Sequence, residues 1–290
     1  MRRVSLPDGL QILAPGAVEA AVLYREIVTE RTYERHGITL RGGDVVFDVG
    51  ANIGLFAIHL TRTVPGVRVH AFEPVPPLFD ALSRNLAEHA PAVKAYNVGL
   101  ADRDGDAVFE LDRFLTMNAS MDPDVMKKGA DKSAPAAAWA AASIADLHRV
   151  QPSAVTRLLG AALRHPIGRV AALTAMAPVA AALDIRKRIF LTRHRCALLT
   201  LPAAMQQAGV DAIDLVKVDV EGAEEAVLTG IDENTWNRIR QLVIEVHDVD
   251  GRLDRLRLLL EQHGYRTTSA REDWALHELL GISTLYATRA

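Results

Sequence analysis

The sequence predicts an α/β protein built on a mostly parallel sheet with helices on both faces. Three observations carry that prediction. Val45-Val46-Phe47-Asp48-Val49-Gly50-Ala51-Asn52-Ile53-Gly54-Leu55-Phe56 reads as a buried strand, a glycine turn and the start of a helix. Residues 67–72 form a second apolar run, which ends in Glu73-Pro74. From there to the carboxyl end, helical and strand-like segments alternate with glycine punctuation, the pattern of repeated strand–helix units. Ligands of such a sheet bind beyond the carboxyl ends of its strands. Asp48, Glu73, Asp102, Asp219, Glu221 and His247 are all expected at that edge.

Residues 1–40 form a leading segment. Leu6-Pro7-Asp8-Gly9-Leu10 reads as a turn, and 18–35 has helical spacing with charges on one side. Gly50 and Gly54 let the backbone bend and approach a ligand as residues with a Cβ could not. The helix over 54–63 is expected to aim its free N–H groups at that ligand. The spacing is G-x-x-x-G rather than G-x-G-x-x-G, which disfavours a pyrophosphate cradle and a nicotinamide-dependent oxidoreductase. Asp48, at the strand tip, suits either the cap of that helix or the amino group of an amino-acid-like cofactor. Glu73, whose ionised carboxylate offers only acceptors, suits both hydroxyls of a ribose.

A second helix covers 76–89, with Pro77 in its first turn. Residues 93–100 make a third strand and 107–111 a short added one. Strand four is 214–220, and a helix over 222–230 stops at Gly230. Strand five is 241–247. A helix over 252–263 ends at Gly264, and 265–269 and 283–288 are the last two strands.

Composition narrows the function classes. A chain of 290 residues can bury most of its apolar surface. A net charge of −3 gives no basic signature, which argues against nucleic acid as partner. The single Cys196 cannot form an internal disulfide and reads best as a small buried hydrophobe, which fits a reducing cytoplasm. The amino terminus lacks the apolar run of a signal peptide. The apolar stretch over 167–183 is interrupted by Arg169 and Pro178, so no transmembrane span is expected.

Four motifs in order resemble the FkbM family of S-adenosylmethionine-dependent methyltransferases. They are D-V-G-A-N-I-G-L-F from Asp48, F-E-P at Phe72, D-L-V-K-V-D-V-E-G-A-E from Asp214 with Val227-Leu228 and Gly230, and V-I-E-V-H ending at His247. The resemblance covers roughly 36–112 and 198–290. It implies a Rossmann-like methyltransferase fold of seven strands, the last antiparallel, with residues 1–40 as a helical cover. Residues 41–290 would form the methyltransferase domain, interrupted at about 113–197 by a mainly helical insert. It also implies a cofactor site of Asp48, Gly50, Asn52, Gly54, Glu73 and Asp102. Asp102 either meets the adenine amino group or only makes a turn with Arg103-Asp104-Gly105. Tyr24, Tyr33 and His36 of the cover would lie near the methyl group or simply pack.

Methyl transfer needs a nucleophile held in line, and a hydroxyl acceptor also needs help to lose its proton. Asp219, Glu221 and His247 are the catalytic candidates, from the tips of strands four and five. Asp219, Glu245 and His247 form an oxygen-rich set that could hold Mg²⁺. The plainer readings are a first-turn role for Glu224 and a structural ion pair of Lys217 with Glu245. The insert is alanine-rich and carries arginines, among them Arg186, Arg188 and, just after, Arg193. Apolar helices with arginine forks suggest a small amphiphilic substrate with a phosphate or carboxylate head. Acceptors consistent with this are a polyketide or, for carbon methylation, a prenyl diphosphate, with oxygen favoured by the family. A basic membrane-surface or homo-oligomer face fits the insert equally well. The competing class is a non-catalytic cofactor-binding scaffold that holds a partner through the insert.

Overall fold

The computed structural model describes residues 1–112, 136–150, 152–164 and 191–289. Its elements, in chain order, begin with a hairpin of β1 (Arg2–Ser5) and β2 (Gln11–Ala14), then α1 (Ala17–Tyr24), a π-helical turn (Arg25–Thr29) and a 3₁₀ turn (Thr32–Glu34). Next come β3 (Val45–Val49), α2 (Leu55–Thr63), β4 (Arg68–Phe72), α3 (Pro76–His89), β5 (Lys94–Tyr96), β6 (Gly99–Leu100) and β7 (Gly105–Asp112). Helices α4 (Ala136–Val150) and α5 (Ala154–Arg164) belong to the insert. The second half holds β8 (Leu191–Leu199), α6 (Leu201–Ala208), β9 (Leu215–Val218), α7 (Glu224–Thr229), α8 (Glu233–Trp236), β10 (Gln241–His247), α9 (Arg252–Gln262), β11 (Arg266–Ala270), α10 (Ala275–Leu280) and β12 (Ile282–Thr288).

The central sheet has seven strands in the order β11-β12-β10-β9-β3-β4-β5, and β12 runs antiparallel to both of its neighbours. The expected parallel sheet with a final antiparallel strand is therefore present. Side chains alternate between two cores. Val46, Val69, Ala71, Leu215, Val243 and Tyr286 pack with α1, α2, α3 and the hairpin on one face. Phe47, Val49, Val216, Val218, Ile244 and Val246 pack with α6, α7, α8 and α9 on the other. Helices thus cover both faces, and continuous apolar runs such as Val45–Val49 are buried at every residue, as interior parallel strands must be.

Three expectations need correction. The leading segment is not helical throughout. Its first 14 residues form the β1–β2 hairpin around the foreseen turn, and polar residues alternating with apolar ones give it one buried face. The third strand is split. Lys94–Tyr96 stays in the central sheet, while Gly99–Leu100 joins a three-stranded sheet in the order β6-β8-β7. That sheet also changes the insert, because the last residues within its expected bounds, 191–197, lie in β8, paired with β7 from Gly105↔Leu198 to Asp112↔Leu191. Burial alternates along this half-exposed strand, with Arg193, Arg195 and Ala197 exposed and Cys196 and Leu198 buried. Cys196 is buried there, and burial pushes its thiol up to about 11, away from reactivity.

Candidate active site

The glycine turn after β3 is shaped by packing. Gly50 has φ +79°, and a Cβ placed on it would come within 1.7 Å of the Asp219 carbonyl oxygen. The tips of β3 and β9 can approach only because that side chain is absent. The turn's N–H groups are largely spent internally. Gly50 and Ala51 both donate to Phe72 O at 3.0 Å, Gly54 to Ala51 O at 2.8 Å, and Asn52 to the Glu73 carboxylate at 3.0 Å. The turn's own donors thus close the turn and tie β3 to β4. This agrees with the absence of a pyrophosphate spacing in the sequence.

Glu73, at the end of β4, is buried and held by two backbone donors, Asn52 N–H on one oxygen and Val75 N–H at 2.9 Å on the other. Burial pushes its carboxyl up to about 8. Asn52 sits in the left-handed region at φ 51°, and its Oδ1 is buried without a partner. Asp102, just past β6, is exposed and 3.8 Å from Arg103. Gly230 packs against this turn. A Cβ there would lie 2.2 Å from Ala101 O, and its φ is −78°. Close approach, rather than a left-handed helix stop, requires that glycine.

The centre of the site is Lys217, a residue expected from the sequence only as a structural pair with Glu245. Asp48 and Lys217 are register partners on neighbouring strands, so both point to the same face. Lys217 Nζ lies 3.2 Å from Asp48, 3.4 Å from Asp219 and 2.9 Å from Gly50 O. Asp48 is fully buried and caps no helix. It meets the ammonium as an ion pair, while neither oxygen accepts a hydrogen bond of good geometry. Burial raises its pKa despite Lys217, and the surrounding acids hold Lys217 protonated against burial.

Glu26 and Tyr33, both from outside the motifs, complete this network with Glu245. The Tyr33 hydroxyl lies 3.2 Å from Glu26, 3.2 Å from Asp219 and 3.4 Å from Glu245. Glu26 belongs to the π turn, a distortion that recurs at functional sites. Burial and the charge of Asp219 push Glu26 up to about 7, and the same two causes raise Glu245 well above the usual carboxylate range. Around one ammonium the chain thus gathers Asp48, Asp219, Glu26 and Glu245, an acid-rich cleft suited to a cationic ligand.

A second network lies beside it. His247 is buried between Glu224, 2.9 Å from Nδ1, and Glu221, 3.2 Å from Nε2. These carboxylates overcome burial and raise its pKa well above the usual imidazole value. Glu224 is no mere first-turn residue. It is fully buried, accepts Gly222 N–H at 2.6 Å and pairs with Arg252 at 2.8 Å. Glu221 stands in the left-handed region at φ 51°, a strained conformation of the kind that collects at functional sites.

The proposed metal set is not assembled. Among the described residues no group of three or more histidine, cysteine, aspartate or glutamate side chains could hold a metal ion. The reason is local: an ammonium faces Asp219, a tyrosine hydroxyl lies between Asp219 and Glu245, and both His247 nitrogens face carboxylates. Of the substrate arginines, Arg193 is exposed on β8 and paired with Glu110 at 2.8 Å, while Arg186 and Arg188 lie outside the described residues. Tyr24 and His36 pack on the cover, His36 against Tyr286. No described helix is long and apolar enough to cross a membrane.

The profile of the family described as "Methyltransferase FkbM domain" matches residues 48–267. The chain belongs to the FkbM methyltransferase family. It is 37% identical to the 31-O-demethyl-FK506 methyltransferase FkbM of Streptomyces tacrolimicus, over 92% of this chain and 90% of that protein. It is 30% identical to the methyltransferase sdnD of Sordaria araneosa, again over 92% and 90%. It is also 34% identical to the AMB antimetabolite synthetase AmbE of Pseudomonas aeruginosa, where the match spans 99% of this chain and 12% of that protein. A crystal structure of methyltransferase FkbM from Methylobacillus flagellatus superposes with a TM-score of 0.47 at 15% identity, covering 95% of this chain and 56% of that one. The FkbM membership and fold imply S-adenosylmethionine as the methyl donor. The residues fit such a group: the cleft is acid-rich, and Asn52 Oδ1 and the Asp48 carboxylate are buried polar atoms short of partners.

Proposed function

We propose that this FkbM-family enzyme methylates a hydroxyl oxygen of a small secondary metabolite of polyketide type. The observation that carries the reading is the row of buried Asp48 and Lys217 with half-buried Asp219, beside Glu73 at the carboxyl edge of a chain 37% identical to an enzyme named for 31-O-demethyl-FK506. Bound S-adenosylmethionine supplies an electrophilic methyl group on a sulfonium.

In this reading Glu73, with one lone-pair side of each oxygen taken by a backbone N–H, offers the remainder to two ribose hydroxyls. Asp48 and Asn52 face the amino-acid end, Gly50 and Gly54 shape the wall, and Asp102 stands on the adenine side. Asp219 is the acid that opens toward an acceptor, since its side chain keeps 23% of its exposure while Asp48 keeps none. Glu221 lines the same side. His247, clamped between two carboxylates, positions Glu221 as an imidazolium and takes no proton itself. The reaction suits the cytoplasm, where a lone buried cysteine stays reduced.

Calorimetry with S-adenosylhomocysteine, followed by incubation of hydroxylated polyketides with methyl-labelled S-adenosylmethionine, tests this. The expected result is binding by the native chain, loss of binding in Glu73→Ala, and label recovered in a methyl ether. A folded native chain that gives no heat with S-adenosylhomocysteine, or label found only on carbon, overturns it.

A further inference from the structure

Helix α10 carries a side chain that none of the chemistry above uses. Because β12 is antiparallel it starts at the carboxyl edge of the sheet, so the segment before it must lie over that edge. Ile282 is the register partner of His247, and Asp248 N–H donates to Gly281 O at 3.0 Å. His277 stands on this helix, and its Nδ1 is buried with no hydrogen-bond partner. The charges that act on it are those of His247 from β10, Asp219 just past β9 and Glu30 from the leading segment.

Two remote segments, α4 and the leading segment, hold the start of its helix. Asp146 of insert helix α4 accepts Ala275 N–H at 2.9 Å at the start of α10. The Trp274 indole donates to Glu30 at 3.2 Å, and the Arg149 guanidinium lies 5.3 Å over the Trp274 ring. A buried nitrogen left without a partner costs about 1–3 kcal/mol. Here the cost is borne over the carboxyl edge of the sheet, by a ring 6.3 Å from that of Trp274 on a helix whose start two remote segments hold in place. A ligand hydroxyl reaching that nitrogen would satisfy it.

We propose that His277 is a further catalytic residue, whose imidazole accepts the hydroxyl of the acceptor and takes its proton during methyl transfer. This rests on the oxygen-methylation reading above. The acceptor oxygen gains its bond to carbon as the carbon–sulfur bond breaks, with the electron pair left on sulfur. The oxygen then bears positive charge, and its proton becomes strongly acidic and passes to the imidazole. Burial and the cationic His247 hold the His277 ring down to about 4, so it is neutral and able to accept at physiological pH. An oxonium-like proton moves to it downhill all the same. His247, protonated between its two glutamates, cannot take that role.

Histidine ring-carbon NMR, with the His277 signal assigned by its loss in His277→Gln, tests the placement with S-adenosylhomocysteine as probe. The signal is expected to be that of a neutral imidazole between about pH 5 and 8 and to shift when the probe saturates the protein. With the acceptor from the polyketide panel, His277→Gln is expected to lower kcat by about 100-fold or more while probe affinity stays unchanged. A His277 signal indifferent to bound probe, a ring protonated at neutral pH, or an undiminished kcat overturns the proposal. Absence of probe binding by the native chain overturns the cofactor reading instead, and the proposal falls with it.

Discussion

Replacing Lys217 by methionine is expected to destabilise the fold severely, because it removes a buried cation and leaves its acids behind. The residue is 3% exposed, and its ammonium faces Asp48, Asp219 and Gly50 O at 3.2, 3.4 and 2.9 Å. Methionine keeps the stem and its packing, so the cavity contribution is small. What remains is a fully buried Asp48 with no counter-ion, and breaking a buried pair from one side costs about 3–5 kcal/mol. That corresponds to a fall in Tm on the order of 10 °C at about 2–4 °C per kcal/mol. The sign with pH follows. Asp48 already has a raised pKa, and without Lys217 it rises further, so the folded variant favours the protonated acid. The deficit relative to the native chain should therefore shrink at acid pH and grow at alkaline pH. The double variant Lys217→Met/Asp48→Asn removes both charges and is expected to recover much of the loss. Urea unfolding followed by tryptophan fluorescence reads all of these. A loss below about 1 kcal/mol in the single variant, or a double variant whose cost is the sum of the two singles, would refute the buried-pair argument.

Other outcomes follow from the same geometry. Glu26 and Glu73 have folded pKa values raised to about 7 and about 8, so the stability they contribute is full below about 4.5 and is lost as pH rises through those values. Unfolding free energies measured across that range should fall less steeply in Glu26→Gln than in the native chain, and equal slopes would count against the shift. Gly50→Ala should prevent stable folding, since its Cβ would meet Asp219 O at 1.7 Å, whereas Gly209→Ala, at φ +67° with open space, should cost only about 1–2 kcal/mol. Thermal melts of both decide it, and similar melting temperatures would sink the close-approach reading. Arg149→Ala removes the guanidinium over Trp274 and its pair with Asp273 at 2.6 Å. It is expected to change Trp274 fluorescence and to weaken methyl transfer more than cofactor binding, which the labelled-methyl assay and calorimetry together would show.

The parts of this molecule that the sequence revealed are those written in local chemistry. Val45–Val49 followed by Gly50 can be read as a buried strand and turn because apolar runs and glycines report directly on burial and backbone freedom. Glu73 was legible because an acid following a buried strand has few places to go. Lys217 offered the same kind of signal, a charge inside the apolar run Leu215–Val218, yet its partner was misjudged. Glu245 is adjacent in motif, but Asp48 is opposite in register, and register belongs to the pairing of strands rather than to either strand alone. Glu26 is harder still, since a π turn displaces side chains from the helical spacing by which they would be assigned to a face, whereas Tyr33 is named by the family resemblance as lying near the methyl group or simply packing. His277 left no trace, because a six-residue helix is too short for periodicity to mark. What puts it at the site is the antiparallel direction of β12, a property of the whole sheet. The acids and bases of this cleft therefore divide by physical origin. Those fixed by a strand tip could be named in advance, and those delivered by packing over the edge became visible only when the sheet was closed.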